Sequence, residues 1–313
     1  MKMAQSEVFV GIDVSKAVLD VAIWPGGASF QVSQDREGRQ ALVRRLRAMA
    51  VSVVGLEASG GFERPVMKAL FDAGLTVRRV NPWRVRRFAE ACGVLAKNDR
   101  ADARVIARFV ATLPDEPTRP NPQAEKLAEL VTLRRQLTDE LTRARNQAAH
   151  AGQALIKRLA QRRIQRLKLD IIVLDKAIAA FIAADPDMAR KNTLLRSVPC
   201  VGPVFAHTLL ALMPELGSLT NRQAAALLGV APYDCESGQF RGQRRIFGGR
   251  RAVRDVAYMA AIVAGQVNPV FKQVRKNLLA AGKKPKVVIV AIMRRLITTL
   301  NAILRDNTPW KLA

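Results

Sequence analysis

Histidine and cysteine are scarce in this chain. Only two histidines, His150 and His207, occur among its 313 residues, so the serine–histidine pair of a hydrolase site is poorly supplied. The three cysteines, Cys92, Cys200 and Cys235, are odd in number and far apart. None has a close cysteine or histidine partner, so neither a disulfide framework nor a zinc site is indicated. We interpret the cysteines as small buried apolar residues of a cytoplasmic protein.

Long apolar segments are also lacking. No apolar run approaches the roughly 20 residues that a membrane-spanning helix requires. Near the N-terminus, Asp13 interrupts the only apolar run, which argues against a secretory signal peptide. The sequence therefore predicts no membrane partner and a cytoplasmic location.

Acidic residues are strongly outnumbered by basic ones. Lys and Arg total 51 against 26 Asp and Glu, which gives a formal net charge of +25. Nucleic acid is the simplest partner for such an excess, because each phosphate that a cation neutralises releases a counterion. A membrane surface would attract the same charge, but the sequence carries no membrane signal. We therefore expect the protein to bind DNA or RNA.

Residues 1–112 alternate between strand and helix patterns. Three runs rich in β-branched residues come first, at 8–14, 18–24 and 29–33, separated by short turn sequences. A helix, the apolar strand VSVVGLEAS, a second helix, the strand LTVRRV and two more helices follow. This order predicts a mixed α/β sheet with helices on its faces, as in a ribonuclease-H-like fold.

Residues 113–190 form the predicted middle segment. Four prolines from Pro114 to Pro122 indicate a linker, and the following residues repeat Leu and Ile at helical spacing. The pattern predicts two long helices with a break in the basic stretch from Gln161 to Arg163. An antiparallel hairpin packed on the chain's own domains and a coiled coil that links subunits are both compatible with it.

Residues 191–313 are predicted to form a mostly helical domain. Pro199 and Gly202-Pro203 separate two apolar helical segments, which resembles a helix-hairpin-helix element whose turn offers backbone N–H groups to a phosphate. A plain helix–helix turn without a ligand explains the same residues equally well. The segment GKKPK at 282–286 is interpreted as a solvated basic loop within reach of DNA or RNA.

Four carboxylates occur in an ordered set. Asp13 and Glu57 are the only acids at the ends of strong predicted strands, and adjacent strand ends bring side chains together at one edge of an α/β sheet. Asp99 and Asp102 are three residues apart and therefore share a helix face. Clustered carboxylates repel one another unless a cation lies between them, and hard oxygen ligands suit Mg²⁺ or Mn²⁺. The set predicts a divalent metal site, although Asp13 alone would be explained by ordinary capping.

The stretch ESGQFRGQRRIFGG at 236–249 places Ser237 in a glycine-rich, basic segment. An enzyme that rejoins DNA strands must retain the energy of the cut phosphodiester, and a covalent phosphoserine does so. On the residues alone, a loop serine beside arginines that only grip the nucleic-acid backbone is the slightly better explanation. The arginines that could hold a scissile phosphate are Arg241, Arg244, Arg245, Arg250 and Arg251.

Two tyrosines near this segment, Tyr233 and Tyr258, offer an alternative nucleophile. Tyrosine recombinases rely on an arginine–histidine constellation, and neither histidine is close to the segment in sequence. We interpret both tyrosines as packing residues.

Six segments of the chain together resemble a known family. They are VGIDVSK, LEASG, LAKNDRADARVIARF, VPCVGP, LGVAPYDCESGQFRGQRRIFGG and AVRDVAYMAA. Their order, over nearly the whole chain, resembles that of the insertion sequence 110 family of transposases. The resemblance implies a RuvC-like domain with the DEDD carboxylates Asp13, Glu57, Asp99 and Asp102, a coiled-coil region, and a transposase domain whose nucleophile is Ser237.

The resemblance also implies a reaction and partners. A non-coding bridge RNA would pair with donor and target DNA, and the enzyme would nick DNA through Ser237, exchange strands and leave a Holliday-junction-like intermediate. Dimers would form tetramers in which one subunit's acidic domain meets another's serine segment. The protein would be cytoplasmic and associated with the bacterial nucleoid when active.

Two other functions are compatible with the residues. A Holliday-junction-type nuclease would use metal-activated water and no covalent intermediate. A non-catalytic scaffold would only bind nucleic acid, and the intact carboxylate set counts against it.

Overall fold

The structure of the chain is a computed structural model that describes residues 7–94, 99–113, 117–118, 120–234, 236–237, 240–242 and 244–311. Within these ranges, only the backbone is described for 99–101, 236–237 and 240–241. The chain folds into two compact units, Met1–Pro120 and Asn121–Ala313. The boundary falls in the predicted proline-rich linker. The long middle helices belong to the second unit, so the structure has two units where the sequence predicts three segments.

A five-stranded sheet forms the centre of the first unit. Its strands are β1 (Val8–Val14), β2 (Val18–Trp24), β3 (Ser29–Ser33), β4 (Val51–Glu57) and β5 (Val77–Val80). The helices are α1 (Arg36–Ala48), α2 (Glu63–Asp72), α3 (Pro82–Ala91) and α4 (Asp99–Thr112). Asp35 and Asn81 accept backbone N–H bonds as the N-caps of α1 and α3, which fixes where these helices begin.

The strand order in the sheet is β3-β2-β1-β4-β5. β2 pairs antiparallel with β1 and β3, whereas β4 pairs parallel with β1 and β5. This is the order of the ribonuclease-H-like fold, so the predicted α/β class is confirmed. Because β1 and β4 are parallel neighbours, their carboxyl ends lie at the same edge of the sheet.

The two faces of the sheet are covered by different helices. Alternate residues of β1 and β4, such as Ile12 and Leu56, pack with residues of α1 and α2 in one apolar core. Val53 on the other face packs with residues of α3 and α4, including Phe109. The acids at the strand ends belong to this second face, which α4 crosses.

The predicted linker contributes to the edge of the sheet. The backbone N–H of Thr118 donates to the carbonyl oxygen of Val77, and Thr118 Oγ1 accepts from the N–H of Arg79, both at 2.8 Å. Residues 114–116 and 119 lie outside the described part of the chain. The linker is thus held against β5 at one described point.

Helices dominate the second unit. They are α5 (Pro122–Ala149), α6 (Ala154–Ala184), α7 (Pro186–Arg196), α8 (Pro203–Leu212), α9 (Asn221–Leu228), α10 (Arg251–Val267), α11 (Pro269–Ala280) and α12 (Pro285–Asp306). Most of them share one core, in which Phe205, Leu228 and Leu296 are buried. The C-terminal domain is therefore helical, as predicted.

Helices α5 and α6 form an antiparallel hairpin. Arg134 on α5 binds Asp175 on α6 at 2.5 Å, and Arg163 lies 3.9 Å from Glu140. The predicted break at residues 161–163 is wrong, because Gln and Arg are good helix formers and α6 continues through them. The chain turns instead at residues 150–153, where Gly152 interrupts the helical pattern.

The hairpin packs on its own unit only in part. Leu127 and Ile178, near its base, are buried in the shared core, and Leu141 and Leu167 pack in a smaller cluster further along. Several apolar side chains of α6 are nevertheless exposed: Leu155, Ile156, Leu159, Leu169, Ile172 and Val173. The hairpin thus packs on its own unit, and the exposed apolar side chains of α6 form a surface for a coiled-coil partner.

Helix α12 is the one helix in the described ranges that is long and apolar enough to cross a membrane. Its apolar side, including Ile292, Leu296 and Leu300, is buried in the core of the second unit. This segment was not singled out from the sequence because Arg294 and Arg295 interrupt the apolar run. Packing in the core accounts for its composition.

Short strands were not predicted in the C-terminal domain. β6 (Pro232–Tyr233) pairs with β9 (Arg245–Ile246), and β7 (Glu236–Ser237) pairs with β8 (Phe240–Arg241), both antiparallel. Runs of two residues show no period in the sequence, so the hydrophobic pattern could not indicate them.

Candidate functional site

Asp13 and Glu57 are placed side by side by the parallel pairing of β1 and β4. The register pairs Gly11 with Gly55 and Ile12 with Leu56. The two acids follow at the next position, on strands that lie about 4.8 Å apart. Both side chains are partly buried. The edge of the sheet therefore carries two adjacent carboxylates.

Helix α4 lies directly on these strands because two glycines leave room for it. A Cβ added at Gly11 would come closer than 3.0 Å to the backbone of Ala103 and Ala107, which real Cβ atoms do not do. A Cβ at Gly55 would lie 2.5 Å from Cγ1 of Val110. Because these two glycines have no side chain, α4 can pack this closely on the sheet.

This packing lays the first half of α4 across β1. Arg104 reaches Ser29 Oγ at 3.5 Å, and Ser29 is level with Ala22 on β2 and, through it, with Gly11 in the middle of β1. Residues two apart on a helix are about 200° apart around its axis. Asp102, which is partly buried, therefore lies on the side of α4 away from Arg104. Asp99 begins α4, but its side chain lies outside the described residues.

The chemistry of these donors fits a hard divalent cation, because Mg²⁺ and Mn²⁺ prefer carboxylate oxygens. Among the side chains that the structure describes, no three His, Cys, Asp or Glu residues are grouped closely enough to hold a metal ion. Asp13, Glu57 and Asp102 thus do not form such a group by themselves, and the side chain of Asp99, the fourth predicted ligand, is not described. The complete four-acid site stays a prediction, supported by the adjacent Asp13 and Glu57.

Asp20 is a further carboxylate that was not predicted from the sequence. It lies on β2 directly opposite Asp13, so both project from the same face of the sheet. Its side chain is 5% exposed, and its Oδ1 accepts a 2.7 Å hydrogen bond from Nε2 of Gln31. The available signal was an acid inside the apolar run VLDVAIW. Asp20 adds negative charge beside Asp13, so a cation bound at this edge would relieve more repulsion between carboxylates.

Glu63 orders the turn that follows Glu57. Its side chain is buried, and its Oε2 accepts hydrogen bonds from the backbone N–H groups of Ser59 at 3.1 Å and Gly61 at 2.8 Å. Burial by itself would raise the pKa of Glu63, but the hydrogen bonds to its carboxylate outweigh burial and lower the pKa. The ionised Glu63 thereby fixes the connection between β4 and α2.

Ser237 lies on a short ribbon of two strands. The backbone pairs Ser237 with Phe240, while β6 and β9 on either side pair Tyr233 with Arg245. The side chain of Ser237 and residues 238–239 lie outside the described part of the chain. The serine is therefore carried on a β-ribbon between two other short strands, and its role as nucleophile stays a prediction.

The end of the serine segment is clamped to helix α9. Gly229 ends α9 with φ +79°, and a Cβ added at Gly249 would overlap the backbone of Gly229. The backbone N–H of Arg250 donates to Leu227 O at 2.8 Å. Its guanidinium binds Glu215 with two hydrogen bonds of 2.6 and 2.7 Å. Arg250 is thus a structural anchor, and a phosphate would have to compete with Glu215 for it.

The other predicted phosphate ligands differ in how they are held. Arg244 forms an ion pair of 2.5 Å with Asp234. Arg245 is exposed on β9, and Arg251 is exposed at the start of α10. The side chain of Arg241 is not described. Arg245 and Arg251 are therefore the two of this group that the structure leaves most accessible.

The histidines and tyrosines provide no arginine–histidine site at the described part of the serine segment. His207 is buried in α8, where burial, the largest cause, lowers its pKa, and Arg196 and Asp175 are among its charged neighbours. These neighbours place His207 among the core helices. Tyr258 packs against the core, as predicted, whereas Tyr233 is 48% exposed and is not a packing residue.

The described cysteines are free thiols. Cys92 and Cys200 are both partly buried, and burial raises the pKa of the Cys200 thiol to about 12. Cys235 lies outside the described residues. An inert structural role for Cys200 agrees with the prediction.

The predicted helix–turn–helix is formed by α7, the turn at 197–202 and α8. Gly202 is the N-cap of α8 and supplies no side-chain hydrogen bond to its first N–H groups. These donors are compatible with a phosphate and with water alike, so both interpretations of the turn stay open.

Two family models match this chain. A DEDD transposase model of the IS110 group matches residues 10–151, and a model described as "Transposase IS116/IS110/IS902 family" matches residues 192–275. The chain belongs to the IS110 family of transposases. The family resemblance of the sequence motifs is therefore confirmed, and family membership implies an activity in DNA recombination.

Relatives of this IS110 transposase include two proteins named "Pilin gene-inverting protein", from Moraxella bovis and Moraxella lacunata. Each is 26% identical over 322 residues, which cover 97% of this chain and 98% of the relative. The Thermus thermophilus RuvC structure is 17% identical and covers 36% of this chain and 99% of its own, with a TM-score of 0.29. A score this low supports no argument.

Proposed function

We propose that this IS110 transposase cuts and rejoins DNA strands through a covalent phosphoserine at Ser237, guided by a non-coding bridge RNA that pairs with donor and target DNA. Asp13, Glu57, Asp99 and Asp102 hold Mg²⁺ or Mn²⁺ at the same scissile bond. The observation that carries the proposal is the placement of Asp13 beside Glu57, at the carboxyl ends of parallel strands, in a chain of a transposase family.

The acidic edge provides the cation site of this reaction. A divalent cation bound there would polarise the phosphate oxygens and stabilise the charge that builds on them. Glu63 keeps the turn after Glu57 in place, and the close contact of α4 with Gly11 holds the helix that carries Asp102 against β1. Preorganised ligands reduce the reorganisation that the reaction requires.

Ser237 conserves the energy of the broken bond. Its Oγ forms a bond to the scissile phosphorus while one P–O bond to deoxyribose breaks, and the leaving hydroxyl gains the proton that the serine loses. The reverse attack by a hydroxyl of the new partner strand releases the serine. Arg245 and Arg251 are exposed near Ser237 in the sequence and are candidates to bind the phosphate oxygens.

Bridge RNA and a tetramer built from dimers are proposed from the family resemblance. The net charge of +25 supports a protein that holds two polyanions at once. In this proposal, the acidic edge of one subunit and the serine segment of another complete each active site. The working location is the cytoplasm, at the nucleoid.

Trapping the phosphoserine tests the proposed reaction. We expect the wild-type protein, given its RNA, Mg²⁺ and DNA with a nick that prevents religation, to form a protease-resistant phosphopeptide containing Ser237. Ser237→Ala is expected to lose the adduct and at least about a thousandfold in cleavage rate, since the nucleophile is gone. Mass spectrometry of the adduct and gel analysis of the DNA measure both.

Ser218→Ala is a matched control, because Ser218 is an exposed serine of the same unit that only bonds to Glu215 O. It should cut normally. Cleavage by Ser237→Ala at the wild-type rate would exclude the recombinase and favour the nuclease that uses activated water. If the wild type and every variant bound nucleic acid without metal and none of them cleaved DNA, the result would favour the non-catalytic scaffold.

The exposed apolar side of α6 is expected to join subunits. Replacing Leu169 and Val173, which are 60% and 64% exposed, with glutamate should shift the protein to a smaller assembly, because charge on an apolar contact is costly. Light scattering after size-exclusion chromatography measures the mass. Met259→Glu with Val263→Glu, an equally spaced exposed pair on α10, is the control. Equal masses for both variants would contradict a coiled-coil role of α6.

A further inference from the structure

A groove of about 860 Å³ lies between the β6–β9 ribbon, the start of α9 and the exposed side of α12. All three elements belong to the second unit. Among the described residues that line this groove, none is acidic. Five are cationic: Arg244, Arg245, Lys286, Arg294 and Arg295. We call this site the basic groove.

The cations on α12 are available for a ligand. Lys286, Arg294 and Arg295 are exposed, and the ion pairs of the described side chains leave them without a carboxylate partner. At the rim, Arg244 is already paired with Asp234. Cations that converge on one concave surface repel one another, and a polyanion that follows the groove relieves this repulsion.

Apolar side chains are exposed among these cations. Ile246 and Val287 line the groove and are 40% and 52% exposed. Tyr233, which pairs with the lining residue Arg245 across the ribbon, is also exposed. Duplex DNA hides the flat faces of its bases in the stack, whereas a single strand presents them to aromatic and apolar side chains. The combination therefore favours a single strand over a duplex.

We propose that the basic groove binds single-stranded DNA beside the scissile phosphate. The two strands of its ribbon immediately precede and follow the segment that carries Ser237. A cut strand must leave its complement before it can be exchanged, and the groove holds it during that step. The choice of DNA over RNA rests on the proposed function.

Binding of labelled single-stranded DNA to the full-length protein tests this proposal. Arg294→Gln combined with Arg295→Gln should weaken binding by about tenfold or more. The slope of log affinity against log salt should become shallower by about 1.4, because each phosphate contact contributes about 0.7 for a single strand. Tyr233→Ala should weaken binding by about fivefold or more and leave the slope unchanged, since stacking releases no counterion. Fluorescence anisotropy over a salt series measures both quantities.

Lys272→Gln combined with Lys276→Gln provides the matched control. This pair removes the same charge from exposed positions on α11, outside the groove, and thermal unfolding verifies that all variants are folded. The proposal is overturned if the α12 variant binds single-stranded DNA as tightly as this control. It is also overturned if the α12 variant loses affinity only for duplex DNA, or only for RNA of the same sequence.

The binding assay and the trapping assay test the two proposals independently. If the Ser237 adduct forms but the α12 variant binds like the control, the groove proposal fails and the proposed function stands. If no adduct forms while the α12 variant loses single-strand binding as expected, the proposed function fails and the groove stands as a surface for single-stranded DNA.

Discussion

Asp13→Asn is expected to reduce DNA cleavage by at least about a hundredfold while the protein remains folded. An amide has no charge to offer a hard cation, and loss of one preorganised charged group at a reacting phosphate typically costs this much. The structure gives a reason to expect no loss of stability, because Asp13 lies directly opposite Asp20. Like charges at such positions repel, so the unfolding midpoint should stay level or rise. Gel-based cleavage and thermal unfolding measure the two effects.

A metal titration provides a readout that does not depend on turnover. Calorimetry with Mn²⁺ should show weaker binding to Asp13→Asn than to the wild type. Asp72→Asn is the control, since Asp72 is an exposed acid on α2 whose 2.7 Å pair with Lys68 contributes little. Cleavage by Asp13→Asn within a fewfold of the wild-type rate would remove Asp13 from the catalytic set, whatever the stability data show.

The acidic edge was predictable because local sequence determines it. β1, β2 and β3 have the predicted bounds, since turn residues such as Pro25 separate runs of β-branched residues. Once β1 and β4 are recognised as parallel neighbours, Asp13 and Glu57 must end at the same edge. Asp20 was missed because its hydrogen-bond partner, Gln31, lies on another strand and only the antiparallel register brings the two together.

The basic groove could not be predicted, because its parts are distant in the sequence. Arg245 on β9 and Lys286 on α12 meet through packing of the second unit, and neither segment has a spacing that indicates the other. The turn between α5 and α6 was misplaced for a related reason. A basic stretch looked like a break, whereas helix propensity and packing carry α6 through it and the single Gly152 marks the turn.

Gly11→Ala is expected to destabilise the first unit by about 3 kcal/mol, toward the upper end for overpacking. The added methyl group would meet backbone atoms of Ala103 and Ala107, which cannot rotate away, so α4 must move off the sheet. Because α4 carries Asp99 and Asp102, cleavage should fall together with stability. Urea unfolding followed by circular dichroism and cleavage assays on the same preparation measure both effects.

Alanine substitutions at two other glycines should cause smaller losses of stability. At Gly55 the added group meets side-chain atoms of Val110 and Ile106, which can shift, so Gly55→Ala should cost only about 1 kcal/mol. Gly152→Ala, with open space and no left-handed φ, should change stability by less than about 1 kcal/mol. The order Gly11, Gly55, Gly152 follows from what each Cβ would touch. If Gly11→Ala were as stable as Gly152→Ala, α4 could not lie directly on β1.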